Sequence, residues 1–398
     1  MALTDFKPHF DNAYQEVFNK VLVAKKVGNF RFEPVLKYGE SVERVAYDIS
    51  NVVVRPTVRG SASIIDTVTD SAELLTVNLE YEAAFHISDG EVTQAGPLNP
   101  GEVIGGQIAV KVATDFDARF FGEVVNAAYD FDNGDLTTLA SNGTPITLSS
   151  TTVPQMVTRM PAKLRRNNQM LTNLCFVVDS YAASEIEQYL LSKSIDLAGS
   201  VFANGYAGKV NQAEVYVSEN LTGEAVLTNS GNFANNETFT INGVVFTMVT
   251  ALSASPAVAG EIVIGADLAA SMTNIAAALN DPGTTTATFT ALSAADQATI
   301  TDLKLTATAT ATTVTIVCKG SGRLTLAETG GSTSWSKNFI HAYYGKKGAI
   351  DAVLQDMKEV DMRPTDDRRG TNVFSSYLGG LKTFTDGSKK FLDVMIAA

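Results

Sequence analysis

Leu75-Thr76-Val77-Asn78-Leu79-Glu80-Tyr81-Glu82-Ala83-Ala84-Phe85-His86-Ile87-Ser88 alternates apolar and polar residues along almost its whole length. Successive side chains of a strand point to opposite faces, so this stretch predicts one long strand with an apolar side. Upstream, Val45, Tyr47, Ile49 and the run Val52-Val53-Val54 supply an antiparallel partner. Between the two, Arg55 to Ser71 holds Pro56, Gly60 and several Ser and Thr, the composition of a long flexible tip. A two-stranded ribbon cannot bury its apolar face by itself. A neighbouring subunit is the natural cover, and Leu75, Val77 and Leu79 are the expected contacts, with Arg55 and Arg59 pairing with acidic groups there.

The pieces around the ribbon read as follows. Phe6, Phe10, Ala13, Tyr14, Val17, Phe18, Val21 and Leu22 recur at helical spacing until Gly28. Phe6, Phe10 and Tyr14 of this aromatic stripe are further expected intersubunit contacts. Ile108, Val112, Phe116, Phe120 and Val124 repeat every four residues, which predicts a helix from 106 to 129, roughly 36 Å long, with Asn133-Gly134 as its stop. A helix from Pro154 to Arg166, bent at Pro161, precedes a buried strand at 175–178. Asp179-Ser180 caps a further helix over 182–192, and a strand returns at 210–218. That alternation is a modest α/β domain.

From Val210 to Leu303 there is no Lys or Arg, and Thr, Ala and Gly dominate. The order there is a strand at 238–250, a strand at 260–264 and a helix at 268–279 with Asp267 as N-cap. Strands near 287–291, 303–319 and 323–328 follow. The shift in composition and the self-contained order mark 230–337 as an inserted domain. Beyond it, Ala349 to Met357 reads as a helix. Val373 to Thr385 and Phe391 to Ile396 read as strands, with Asp386-Gly387 making the turn.

The 398 residues are 45% hydrophobic and only 18% charged, a folding composition with more than one core. The net charge of −13 excludes an overall basic footprint for gripping nucleic acid. No apolar run approaches the length of a membrane span. Met1-Ala2-Leu3-Thr4-Asp5 lacks the layout of a signal peptide, so the chain is expected to be made and kept in a cytoplasm, with Cys175 and Cys318 as buried thiols.

Chemistry is not visible. His9, His86 and His341 are the only imidazoles, and none has a carboxylate or thiol at a motif spacing. Asp130-Phe131-Asp132-Asn133-Gly134-Asp135 superficially looks like a calcium loop, but its glycine comes one place early and Ser141 stands where the last glutamate belongs. A helix stop and solvated turn explain it more simply. Asp366-Asp367 is followed by Arg368-Arg369, a charged loop rather than a two-metal site. No catalytic residue, metal or cofactor is expected.

The order of pieces resembles the HK97-like major capsid proteins of tailed phages. Thr69-Asp70-Ser71-Ala72-Glu73-Leu74-Leu75-Thr76-Val77, running through Phe85-His86-Ile87-Ser88-Asp89-Gly90-Glu91, looks like the returning strand of that family's E-loop. Tyr206-Ala207-Gly208-Lys209-Val210 with Val215-Tyr216-Val217-Ser218-Glu219-Asn220-Leu221 looks like its axial-domain strand. Tyr377-Leu378-Gly379-Gly380-Leu381 is similar to the closing peripheral-domain strand.

The resemblance implies an α+β fold with an N-terminal arm (1–37), an E-loop region (38–97) and a peripheral domain with a spine helix (98–151). The axial domain follows (152–229), then the insertion (230–337) and a return to both host domains (338–398). Thr238-Phe239-Thr240-Ile241-Asn242-Gly243-Val244-Val245-Phe246-Thr247, with the Ala-rich helix after it, is similar to a small α+β module of phage structural proteins. The function implied is a virion shell of pentamers and hexamers, assembled in the bacterial host cytoplasm. It would confine double-stranded DNA with weak non-specific contact. A scaffolding protein, a portal and a decoration protein are the partners implied.

Some family members lock the shell by a Lys–Asn bond from an E-loop lysine. No lysine lies between Lys37 and Lys111, so non-covalent particles are expected. Two other readings stand beside this one, an encapsulin-type cargo shell and a tail or decoration protein.

Overall fold

The computed structural model describes residues 22–34, 36, 39–48, 52–56, 59–60, 62, 64–88, 100–193, 206–254, 256–320, 322–330, 333–364 and 369–398. The expected helix over 5–26 lies mostly outside these residues, as do Phe6, Phe10, Tyr14, His9 and the loop 365–368.

In chain order the elements begin with α1 (Ala24–Val27), β1 (Ser41–Asp48), β2 (Thr69–Thr76), β3 (Leu79–Ile87) and α2 (Pro100–Phe121). A 3-10 turn (Val124–Asn126), β4 (Asp130–Phe131), α3 (Asp135–Thr138), α4 (Thr152–Arg166), β5 (Leu174–Val178) and α5 (Ser180–Lys193) follow. Next come β6 (Tyr206–Val210), β7 (Ala213–Val217), β8 (Thr222–Asn229), β9 (Thr238–Ile241), β10 (Val244–Val249) and β11 (Glu261–Val263). Then α6 (Leu268–Asn280), α7 (Ala294–Asp302), β12 (Leu305–Ala309), β13 (Thr313–Cys318) and β14 (Leu326–Thr329). The chain closes with β15 (Thr333–Lys346), β16 (Asp351–Pro364), β17 (Thr371–Lys382), α8 (Thr385–Ser388) and β18 (Phe391–Ala397). The class is mixed α+β, as expected.

The chain divides into two compact units, Met1–Ala113 with Lys347–Lys390, and Thr114–Lys346 with Phe391–Ala398. In the first unit, β1 and β2 pair antiparallel from Ser41↔Thr76 to Asp48↔Thr69. A separate antiparallel sheet runs β16-β17-β3. The long alternating stretch is therefore two strands, broken at Val77-Asn78. Only its first two residues, Leu75 and Thr76, belong to the ribbon strand β2, and 79–87 pairs with β17 from Leu79↔Gly379 to Ile87↔Thr371. Alternation survives the break, so the pattern alone could not reveal it. A Cβ at Gly380 would lie 2.4 Å from the Thr76 carbonyl oxygen, which is why glycine stands where the two sheets approach. Leu36, Leu75, Val77, Val353 and Phe384 form a small buried core here. The helix expected over 349–357 is instead the start of β16, whose pairing with β17 overrides local propensity.

The second unit is built on a nine-stranded sheet with the path β12-β13-β8-β15-β5-β7-β6, to which β18 and β4 are joined. Phe116, Phe120, Phe121, Phe131, Phe176, Tyr343 and Tyr344 are fully buried. The helix expected over 106–129 spans 100–121 and gives way to the 3-10 turn, so Asn133-Gly134 is not its stop. Pro161 sits inside α4 without ending it. Proline cannot donate to the carbonyl four residues back. The Val157 carbonyl so freed accepts from Asn211 Nδ2 at 3.0 Å.

Segment 230–337 packs Phe239, Ile241, Phe246, Met272, Ile275 and Ile316 into one core with Ala225 and Leu227 of β8. A four-stranded sheet, β11-β10-β9-β14, stands on one side of it. The strand expected over 238–250 is a hairpin turned by Asn242 (φ 48°) and Gly243 (φ 85°), the left-handed pair such turns require. The strand expected over 303–319 is likewise the hairpin β12–β13. The strand expected at 287–291 reduces to one bridge, Ile262↔Phe289, and α7 was not foreseen. Asp267 caps α6 as expected, its Oδ1 accepting from Ala270 N at 2.8 Å. At the β12 edge of the nine-stranded sheet the Asn280 carboxamide both donates to and accepts from the Ala307 backbone, each at 2.8 Å, closing that part of the strand to further pairing.

Candidate functional site

Three places hold the charged and apolar groups that the fold leaves for function. The first is the ribbon and its connecting loop in the first unit. Arg44 anchors the base, its guanidinium 2.6 Å from Asp386 Oδ2 and its plane 5.1 Å from the Phe384 ring. Lys390 Nζ stands 2.9 Å from the same Asp386 oxygen. Burial pushes the Asp386 carboxyl up, but Lys390 and Arg44 outweigh it and hold the group below the usual carboxylate range. Glu73 accepts from the Thr385 amide at 3.1 Å.

Beyond that anchored base the loop turns apolar groups outward. Val54 is 98% exposed, Ile65 89% and Ile64 72%. Val52, Val53, Val68 and Leu74 are about half exposed. Val52 to Pro56 has no regular pairing, so it is not the expected strand partner. One internal tie shapes the loop, with Asp66 Oδ2 accepting from Arg55 Nη1 at 2.6 Å and Val53 N at 2.9 Å. The Arg55 hydrogen bond holds the Asp66 carboxyl below its ordinary pKa. Arg55, expected to reach a neighbour's acid, is thus engaged within its own loop. Arg59 is exposed beside Gly60.

Leu75 and Val77 are buried in the first unit's own core, which corrects their expected role as outward contacts. Leu79 is half-buried. The outward apolar row is 52–54 and 64–68 instead. Its signal in the sequence was the Val52-Val53-Val54 run, read as a strand, and Ile64-Ile65 within a stretch read as a flexible tip.

The second place is His341, buried on β15 between two neighbouring strands. Its Nδ1 lies 2.6 Å from Asp393 Oδ2, and its Nε2 lies 3.5 Å from Glu224 Oε2. Burial alone would lower the imidazole pKa. The Asp393 and Glu224 carboxylates outweigh it and push the value up to about 10. The ring thus lies between carboxylates of the two strands that flank β15, Glu224 on β8 and Asp393 on β18. His86 instead meets Asn372 Oδ1 at 2.9 Å across β3 and β17.

The third place is the acidic turn 130–143. Asp132 and Asp135 are completely buried, so the turn is not the solvated one expected. Asp132 accepts from the backbone of Gly134, Asn142 and Gly143 at 2.9, 2.7 and 2.6 Å. Lys163 Nζ donates to Asp135 Oδ2 at 2.6 Å, to Ser141 Oγ at 2.9 Å and to the Asp130 carbonyl. Three acceptors around one ammonium saturate it. The loop's own backbone engages the Asp132 carboxylate and Lys163 the Asp135 Oδ2, while the buried Asp135 Oδ1 has no hydrogen-bond partner. Among the described residues no group of His, Cys, Asp and Glu is arranged to hold a metal ion, and no helix is long and apolar enough to cross a membrane.

No family model matches the sequence, and no curated protein matches it. Solved structures do. The chain is similar to one from Mycobacterium phage Che8 at 13% identity and TM-score 0.49, over 93% of this chain and 90% of that one. It is similar to a chain in the capsid of an empty GTA particle at 10% identity and TM-score 0.45, over 95% and 90%. A chain in the asymmetric unit of the bacteriophage PhiM1 mature capsid shares 11% identity and TM-score 0.44, over 90% and 82%.

Proposed function

We propose that this chain is a major capsid protein with an HK97-like arrangement, a subunit whose work is done by its surfaces rather than by an active site. The observation that carries the reading is the anchored ribbon with an outward apolar loop, Val52 to Val54 and Ile64 to Val68. Burying one such Val or Ile fully releases about 1.5–3 kcal/mol. A monomer forgoes that stabilisation at several positions, and a loop tied down at its base is built to deliver them to another copy. Identical subunits repeating one heterologous contact around symmetry axes close into a shell.

On this reading 38–97 is the E-loop region, α2 is the spine helix, and the nine-stranded sheet is the core of the axial domain with 230–337 inserted in it. Pentamers and hexamers form without covalent crosslinks, since no lysine lies between Lys37 and Lys111. A scaffolding protein sets particle size, and a portal and a decoration protein complete the virion assembled in the host cytoplasm. DNA is confined by an acidic wall without tight binding.

Negative-stain images of the purified chain test the proposal. Closed polyhedra are expected, and boiled denaturing gels should show single chains without a ladder. Tubes would favour a tail protein. Small shells co-purifying with an enzyme would favour a cargo compartment. A stable monomer at all concentrations would defeat every shell reading.

A further inference from the structure

The ribbon shares one buried carboxylate with the stretch of chain that leads into it, residues 29–36. Asp351, the first residue of β16, is 2% exposed, and its two oxygens face different elements. Oδ1 accepts from Asn29 Nδ2 and stands 3.9 Å from Arg31 Nε. Oδ2 stands 3.8 Å from Arg44 Nη1 on β1, whose other terminal nitrogen holds Asp386. The Asn29 backbone is fixed at the same place, its amide donating to the Ile350 carbonyl and its carbonyl accepting from Ala352 N, both at 2.9 Å. Further along β16, Gln355 Nε2 donates to the Leu36 and Gly39 carbonyls at 2.6 and 2.7 Å.

A buried carboxylate depends on its partners, and losing one leaves the charge short of compensation. Burial pushes the Asp351 carboxyl above its ordinary pKa, with Arg31, Asn29 and Arg44 pulling the other way. While Arg44 covers Oδ2, water is kept from the group, and Oδ1 holds Asn29 and Arg31 in a medium of low dielectric. If the ribbon base moves and takes Arg44 with it, water reaches the carboxylate and the hold of Oδ1 weakens. Loss of the Asn29 bond weakens the grip on Arg44 for the same reason.

We propose that Asp351 couples the ribbon to residues 29–36, so that loosening either one loosens the other. A coupling of this kind is reciprocal. It deepens the capsid reading, in which a neighbouring copy takes hold of the ribbon, because that contact is then felt at 29–36 of the same chain.

Hydrogen exchange read by mass spectrometry on the purified full chain tests it, with all variants compared in the same assembly state. Arg44→Met should raise exchange at least about fivefold in peptides of 29–36 as well as in β1, and Asn29→Ala should do the same to β1. Should Arg44→Met not fold, Arg44→Lys carries the same comparison, keeping the charge and losing the fork. Both cross-effects should vanish in an Asp351→Asn background, which keeps the shape of the side chain. Coupling carried by the covalent chain between 36 and 41 would persist there and overturn the proposal. Exchange that rose only in the substituted element would overturn it too, as would an equal rise in peptides of β3, the mark of general loosening. Absence of closed particles from the unaltered chain would remove the capsid reading and leave the coupling standing.

Discussion

The loop 52–68 and the segment 230–337 are both rich in small and β-branched apolar residues, yet they dispose of them in opposite ways. The segment folds back on itself twice, through the hairpins β9–β10 and β12–β13, and brings α6 across the result. Phe239 and Phe246 end stacked in its core with ring centroids 5.0 Å apart. Among its described residues the ribbon loop has no returning element, and Val54 and Ile65 are exposed. Apolar content does not decide whether a region closes itself. Enough chain must return to form a second layer, and where it does not, the second layer has to come from another molecule.

The largest expected effects would break that contrast directly. Replacing Val54 and Ile65 together by Asp should abolish particle formation, checked by sedimentation and electron microscopy. Folding stability should move by no more than about 0.5 kcal/mol, because the sites are exposed in the monomer. In the segment the same logic inverts. Phe239→Ala should cost about 3–5 kcal/mol in denaturant unfolding through the cavity it leaves. If the loop variant unfolded or the Phe239 variant did not lose stability, the two regions would not differ as described.

Close behind comes Lys163→Ala, which strands the fully buried Asp135 without its cation. Removing one partner of a buried pair costs about 3–5 kcal/mol, so a fall of that order in urea stability is expected. Lys163→Met together with Asp135→Leu should recover much of it. That double substitution separates the price of an unpaired charge from any positive value of the pair.

Much of this was legible in the sequence, and what was not has physical causes. Helix caps are local chemistry, and Asp267 and Asp179 were read correctly because each bonds its own helix, with Asp179 Oδ1 accepting from Ala182 N at 3.1 Å. Strand pairing is non-local. The alternation through Leu75 to Ile87 is equally compatible with one strand or two, and only β17, nearly 300 residues on, decides between them. The same partner makes 351–357 part of a strand, against a helical reading of 349–357. The exposed loop lost its signal for another reason. Its apolar residues come in short runs, so that Val52-Val53-Val54 reads as a strand, while Pro, Gly, Ser and Thr make 55–71 read as a flexible tip. His341 shows no carboxylate at a motif spacing because its partners Asp393 and Glu224 sit on strands remote in the chain.

A smaller effect is expected from pH. The folded-state pKa of His341 is raised to about 10 from an ordinary value of 6.5. A raised histidine stabilises the fold fully below its unfolded pKa, and that contribution fades as pH climbs toward the folded value. Stability should therefore decline between about pH 6.5 and 10 with an imidazole contribution that His341→Gln removes. The comparison to make is the slope in that window, since the variant also loses packing at every pH. An identical slope in both proteins would mean that His341 is neutral in the fold.

The smallest predicted effect tests how self-sufficient segment 230–337 is. Asp267 accepts the Ala270 amide and fixes the start of α6, the helix that supplies Met272 and Ile275 to the core and Asn280 to the sheet edge. Removing such a cap costs about 1 kcal/mol. If the segment closes by its own packing, Asp267→Ala should shift unfolding by that amount and leave particle assembly untouched. If the same substitution halted assembly while the chain stayed folded, the segment would share the ribbon's dependence on other copies, and the contrast between the two regions would be one of degree.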